Sequence, residues 1–120
     1  MKRILIVDDF SSIRAVIRHV VGELGNFDFD EAGDGASALQ KLKQQSFDLV
    51  ISDWNMPRMS GLDLLGEIRR DGELKALPVV MLTAESSRDN VESAIALGIQ
   101  GYVTKPFRPD RLIAVVRPLL

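Results

Sequence analysis

Apolar residues along this chain fall into two alternating patterns. Four short runs, Ile4-Leu5-Ile6-Val7, Leu49-Val50-Ile51, Val79-Val80-Met81-Leu82 and Gly101-Tyr102-Val103, are continuous. They read as strands buried on both faces, because a strand with one wet face alternates apolar with polar residues. Between them the spacing turns helical. Ile13, Val16, Ile17, Val20, Val21 and Leu24 make one stripe, and Gly25 is placed to stop that helix at C′. Shorter stripes follow at Ala38, Leu39 and Leu42, at Leu64, Leu65 and Ile68, and at Val91, Ala94 and Ile95. The last, Leu112, Val115, Val116 and Leu119, is entered through Pro109 at a first-turn position. Pro118 disfavours helical geometry at Arg117 and predicts an end or bend there.

One more strand is needed between the first and second helices. Residues 27–31, Phe-Asp-Phe-Asp-Glu, alternate apolar and acidic, as suits an edge strand reached by water. The order is then strand–helix repeated five times, an α/β pattern that gives a parallel sheet with helices on both faces and right-handed crossovers. No repeat, linker or low-complexity tract interrupts it, and 120 residues make one domain, 1–120.

Composition narrows the function. A net charge of −2, from 15 basic and 17 acidic residues, lacks the footprint of a nucleic-acid binder. The absence of cysteine excludes disulfides, zinc-thiolate sites and thiol nucleophiles. Met1-Lys2-Arg3 imitates the start of a signal peptide, but the apolar run behind it stops at Asp8-Asp9, and nothing later approaches a membrane span. The expectation is a cytoplasmic protein that binds neither membrane nor nucleic acid.

In an open α/β sheet, function sits beyond the carboxyl ends of the strands. Those ends carry Asp8-Asp9, Asp53, Thr83 and Lys105. If the first and third strands are neighbours, three carboxylates share one crevice. Two charges about 5 Å apart repel by roughly 3 kcal/mol at an effective dielectric of about 20, and three such pairs by on the order of 10 kcal/mol before screening. That rivals the roughly 5–15 kcal/mol stability of a whole domain, so a cation, the Lys105 ammonium or raised carboxyl pKa values must offset it. All-oxygen ligands suit Mg²⁺; zinc is disfavoured because His19, the sole histidine, lies off the apolar stripe. A divalent ion, a lysine and a threonine hydroxyl around a carboxylate describe phosphoryl transfer, with Asp53 as nucleophile and Lys105 and Thr83 balancing the phosphoryl oxygens.

Residues 4–10 (Ile-Leu-Ile-Val-Asp-Asp-Phe), 53–57 (Asp-Trp-Asn-Met-Pro), 83–85 (Thr-Ala-Glu) and 101–107 (Gly-Tyr-Val-Thr-Lys-Pro-Phe) carry a family likeness across the whole chain. The sequence resembles the receiver domain of bacterial response regulators, and within it the chemotaxis type. The resemblance implies a flavodoxin-like (βα)5 sandwich with strand order 2-1-3-4-5. It implies that Asp53 accepts a phosphoryl group from a histidine kinase, and that Asp9, Asp53 and the backbone carbonyl of Asn55 ligate Mg²⁺, with Asp8 acting through a water. Thr83 and Tyr102 resemble the family's switch pair, Asn55 and Glu85 its two positions that tune acyl-phosphate hydrolysis, and Lys105-Pro106 its cis bond. The implied partner face comprises Arg88, Val91, Ile95, Tyr102 and Val115. Chemotaxis receivers commonly carry lysines where this chain has Val115 and Pro118, a departure that bears on a flagellar motor switch protein as the output partner.

Competing readings are a receiver fragment of a larger regulator, a phosphate sink without a target, and a Mg²⁺-dependent phosphatase acting on outside substrates. Gly33-Asp-Gly35-Ala-Ser-Ala38 fits a dinucleotide fingerprint but follows Asp28, Asp30 and Glu31, which would repel a pyrophosphate, so it reads as a turn and helix start. Asp28-Phe-Asp30 imitates the paired aspartates of haloacid-dehalogenase-type phosphatases but lacks their Thr or Val at Ala32. His19 reads as a solvated surface residue and Trp54 as a loop aromatic beside the site.

Overall fold

The computed structural model describes residues 1–84 and, with backbone only at 88–90, residues 88–120. Strands β1 (Arg3–Val7), β2 (Asp28–Ala32), β3 (Leu49–Asp53), β4 (Val79–Thr83) and β5 (Gly101–Thr104) alternate with helices α1 (Ser11–Gly22), α2 (Gly35–Gln44), α3 (Gly61–Arg70), α4 (Arg88–Ala96) and α5 (Pro109–Val116). The strands pair in parallel in the order β2-β1-β3-β4-β5, the flavodoxin-like arrangement.

Successive side chains of a strand point to opposite faces, and here both faces are covered. Leu5, Val7, Val50, Val79 and Met81 pack beneath α2, α3 and α4, against residues such as Ala38, Leu42, Leu64, Ile68 and Ala94. Ile4, Ile6, Leu49, Ile51, Val80 and Leu82 pack against Ile17, Val20 and Val21 of α1 and Leu112 and Val116 of α5. That double cover explains why these runs are uninterrupted.

The expectation fails at β5. Its continuous run predicts burial on both faces, yet only Val103 is buried and Tyr102 is 41% exposed. The strand is an outer edge whose second face lacks full cover. At the opposite edge, β2 starts one residue later than expected, and Asp30 and Glu31 are half-buried in ion pairs with Lys41, Arg14 and Arg18 rather than solvated. On α1 the buried face centres on Ile17, Val20 and Val21. Val16 falls at its margin, 46% exposed, beside an apolar groove of about 480 Å³ shared with Ile13, Phe107 and Pro109.

Local signals hold elsewhere. Asp34 caps α2 by accepting from the Ser37 N–H at 2.7 Å, so the glycine-rich stretch is a helix start. Pro109 opens α5, and the helix gives way to a 3-10 turn, Arg117–Leu119, where Pro118 predicts its end. Leu119 and Leu120 pack against the α1–α5 core. Among the described residues no helix is long and apolar enough to cross a membrane.

Candidate functional site

Parallel pairing brings the carboxyl ends of β1, β3, β4 and β5 to one edge of the sheet. Asp8 follows β1, Asp53 and Thr83 are the last residues of β3 and β4, and Lys105 follows β5. Backbone hydrogen bonds continue past the strands and hold these positions in register: Asp8 N–H to Ala32 O at 3.1 Å, Trp54 N–H to Leu82 O at 2.9 Å, and Lys105 N–H to Thr83 O at 2.8 Å.

Asp8 and Thr83 are fully buried and Asp53 is 6% exposed. Asp9 stands at the surface, and the carboxylate oxygens of Asp8, Asp9 and Asp53 lie within 4.8 Å of one another. Lys105 Nζ reaches between two of them, 2.9 Å from Asp8 Oδ2 and 3.0 Å from Asp53 Oδ1. Burial pushes the Asp53 carboxyl above its ordinary range; Lys105 and the Trp54 N–H pull it down, Asp8 pushes it further up, and the balance is upward. Burial alone would lower the Lys105 ammonium, but its bonds to Asp8 and Asp53 outweigh that, so the lysine stays charged beyond its ordinary value.

The donor set suits a hard divalent cation. It is all oxygen, it gathers more negative charge than one ammonium neutralises, and one of its members, Asp9, remains open to solvent.

Glycine at 61 keeps α3 close to the end of β3. A Cβ on Gly61 would lie 2.3 Å from the Asp53 carbonyl oxygen, and the Gly61 N–H bonds to Trp54 O at 2.8 Å. Ser60 and Asp63 close a reciprocal capping box that starts the helix at this point. The loop between β3 and α3, with Asn55 exposed in it, is thereby folded back beside Asp53. The Lys105-Pro106 bond is cis.

One expected residue, Trp54, stands elsewhere than anticipated. Trp54 is 5% exposed and packs in the core beneath α2 and α3, so it is a core residue rather than a loop aromatic beside the site. Val115, expected on the partner face, is half-buried and packs on Gly101, where an added Cβ would sit 2.4 Å from its Cγ1, because β5 and α5 meet there. Ile95 is 58% exposed, Tyr102 is 41% exposed and Val91 is half-buried. Glu85 and the Arg88 side chain lie outside the described residues. The sequence reading missed Arg14, which donates through Nη1 to the Asp8 carbonyl and through Nε to Glu31 at 2.8 Å. Its one local signal is a second basic residue, Arg18, one turn further along the same flank of α1.

Comparison with known proteins places the chain in a family and agrees with the fold. Residues 4–117 match the family model of the response regulator receiver domain. The chemotaxis protein CheY-3 of Vibrio cholerae is 50% identical over 105 residues, 88% of this chain and 81% of that protein. CheY of Pseudomonas aeruginosa is likewise 50% identical, over 88% of this chain and 85% of its own. A high-resolution structure of the chemotaxis response regulator CheY4 of Vibrio cholerae superposes with a TM-score of 0.89 at 36% identity, covering 100% of this chain and 99% of the other. The chain belongs to the response regulator receiver domain family.

Proposed function

We propose that the chain is a single receiver unit, residues 1–120, that carries a phosphoryl group on Asp53 and uses it to change the binding of a partner. The observation that carries this reading is the buried Asp53 carboxylate flanked by Asp8, Asp9 and the Lys105 ammonium. An Asp53 oxygen attacks the phosphorus of a kinase phosphohistidine. The P–N bond breaks, a P–O bond forms, and the departing imidazole nitrogen takes a proton, leaving an acyl phosphate. Lys105 balances charge on the phosphoryl oxygens and the Thr83 hydroxyl donates to one of them. Asp9, Asp53 and the Asn55 carbonyl would hold Mg²⁺, with Asp8 through a water. When bound, the ion supplies electrostatic stabilisation of the transferring phosphoryl group. Burial of Asp8 and Asp53 limits access of water to the reacting carboxylate.

A phosphoryl group shifts a two-state equilibrium only through contacts that differ between the states. Thr83 and Lys105 are placed to make them, with Tyr102 on the neighbouring strand as the responding ring. Asn55 and Glu85 would set the rate at which the acyl phosphate hydrolyses. The responding surface comprises Arg88, Val91, Ile95, Tyr102 and Val115, the last packed on Gly101 of β5. The setting is cytoplasmic, with a histidine kinase upstream and a soluble target downstream; a flagellar motor switch protein is one candidate.

The test is incubation with Mg²⁺ and a small phosphoryl donor, followed by intact-mass measurement. Gain of one phosphoryl group by the wild type and none by Asp53→Asn supports the reading. Sustained turnover of added phosphomonoesters would favour a phosphatase instead.

A further inference from the structure

We propose that Arg14 is a positioning residue for the cation-binding edge of the site, acting through the peptide that precedes Asp9, and that Glu31 aims Arg14 at that peptide. The inference rests on the reading of Asp8, Asp9 and Asp53 as a cation site and extends it to residues on α1 and β2.

Asp9 is exposed, so the direction of its carboxylate depends on the two peptide planes that flank it. The following plane is anchored by the Phe10 N–H, which donates to Asp8 Oδ1 at 2.9 Å. The preceding plane carries the Asp8 carbonyl, and that oxygen accepts from Arg14 Nη1. Asp8 is fixed at its other polar atoms, by Ala32 O on its N–H and by Lys105 on Oδ2. Rotation of the Asp8–Asp9 peptide is therefore the backbone freedom left beside Asp9, the one that moves its Cα–Cβ bond, and Arg14 restrains it.

The guanidinium is planar, so fixing one nitrogen fixes where the others point. Glu31 Oε1 accepts from Arg14 Nε at 2.8 Å, while its other oxygen accepts from Arg18 Nη1 at 3.2 Å. Register makes this possible: Glu31 pairs with Ile6 and Ala32 with Val7, setting the carboxylate beside the end of β1. The Arg14 side chain is only 18% exposed, which is costly for a group serving merely as a surface ion pair. Partners of this kind, one bond removed from a metal ligand, set ligand direction and hence affinity.

Charge and positioning predict opposite signs. Arg14 is a cation beside a cation site, so its removal should tighten divalent binding if charge alone matters. A purely structural salt bridge would leave affinity unchanged. Positioning predicts weaker binding.

The experiment is a Mg²⁺ titration without phosphoryl donor, followed by the amide resonances of residues 53 and 54. Wild type, Arg14→Met, Arg14→Lys and Arg18→Met are compared. Arg14→Met should raise the Mg²⁺ Kd about tenfold, and Arg18→Met should stay within about twofold of wild type. Arg14→Lys keeps the charge but loses the fork and should also bind more weakly; it decides the matter if Arg14→Met does not fold. Binding by the Arg14 variants as tight as, or tighter than, wild type overturns the assignment of Arg14 alone. A wild type that binds no Mg²⁺ overturns the cation reading and this inference with it.

Discussion

Replacing Lys105 by Met keeps most of the side-chain stem and removes the cation that joins two buried carboxylates. Its Nζ is 2.9 Å from Asp8 and 3.0 Å from Asp53. At an effective dielectric of about 20, each contact is about 5–6 kcal/mol of attraction, most of which offsets the desolvation of the three groups. What the substitution leaves is Asp8 and Asp53, 0% and 8% exposed at their side chains, with no ammonium between them. Breaking a buried pair in this way costs about 3–5 kcal/mol, and since water reaches the lysine the lower end, about 3 kcal/mol, applies. Urea unfolding in EDTA at neutral pH reads this directly. With a slope of about 1–3 kcal/mol per molar urea, the midpoint falls by about 1 M or more.

The sign with pH is fixed by the direction of the shifts. The Asp53 carboxyl is already raised, and losing Lys105 removes the larger influences that hold it down, leaving only the Trp54 N–H. The folded state then binds a proton that the unfolded chain lacks, so the lost stability returns as the pH falls from neutral toward the ordinary carboxylate range. The raised Lys105 stabilises the wild type below the ordinary lysine value, and that contribution is lost as pH climbs through its folded value; the variant has no such alkaline limb. Saturating Mg²⁺ restores part of the deficit by binding the folded state. A variant within about 0.5 kcal/mol of wild type in EDTA, with no gain on acidification, would refute the view that Lys105 relieves an acidic cluster.

Other substitutions test the packing that presents the site. Gly101→Ala drives a methyl into Val115 and should cost about 1–3 kcal/mol in denaturant unfolding; adding Val115→Ala should recover at least half, whereas strictly additive losses would contradict the contact. Gly61→Ala meets the Asp53 backbone rather than a side chain, so it should lose at least about 3 kcal/mol with no single-site rescue, and slow phosphorylation of whatever protein folds. Asp34→Ala removes the α2 cap and should cost about 1 kcal/mol at neutral pH. The Ser37 N–H holds the Asp34 carboxyl below its ordinary range, so this difference should shrink as pH falls through that depressed value.

Most of the fold is legible in the sequence because three strands are covered on both faces, and continuous apolar runs at 4–7, 49–51 and 79–82 have few other readings. β5 misleads because Gly101-Tyr102-Val103 imitates the same pattern on an edge, where Tyr102 remains partly wet. The place of Val115 is not legible either, because it depends on the missing side chain of Gly101, against which its Cγ1 packs. The acidic cluster follows from strand-end position alone once the sheet is parallel. Arg14 and Glu31 do not, since two charged residues 17 positions apart become partners only when the β1–β2 register is known. Trp54 adjoins Asp53 in sequence, yet the strand alternation that aims Asp53 toward the crevice sends Trp54 into the core.

The most direct test of the central claim is to find which atom receives the phosphoryl group. Wild-type protein, treated with Mg²⁺ and a small phosphoryl donor, is reduced with borohydride, which converts an aspartyl phosphate to homoserine, and its peptides are mapped by mass spectrometry. Homoserine at position 53, absent without donor, is the predicted result. Homoserine at position 8 or 9, or none at any position in protein that gained a phosphoryl group, would contradict the assignment of Asp53 as the acceptor.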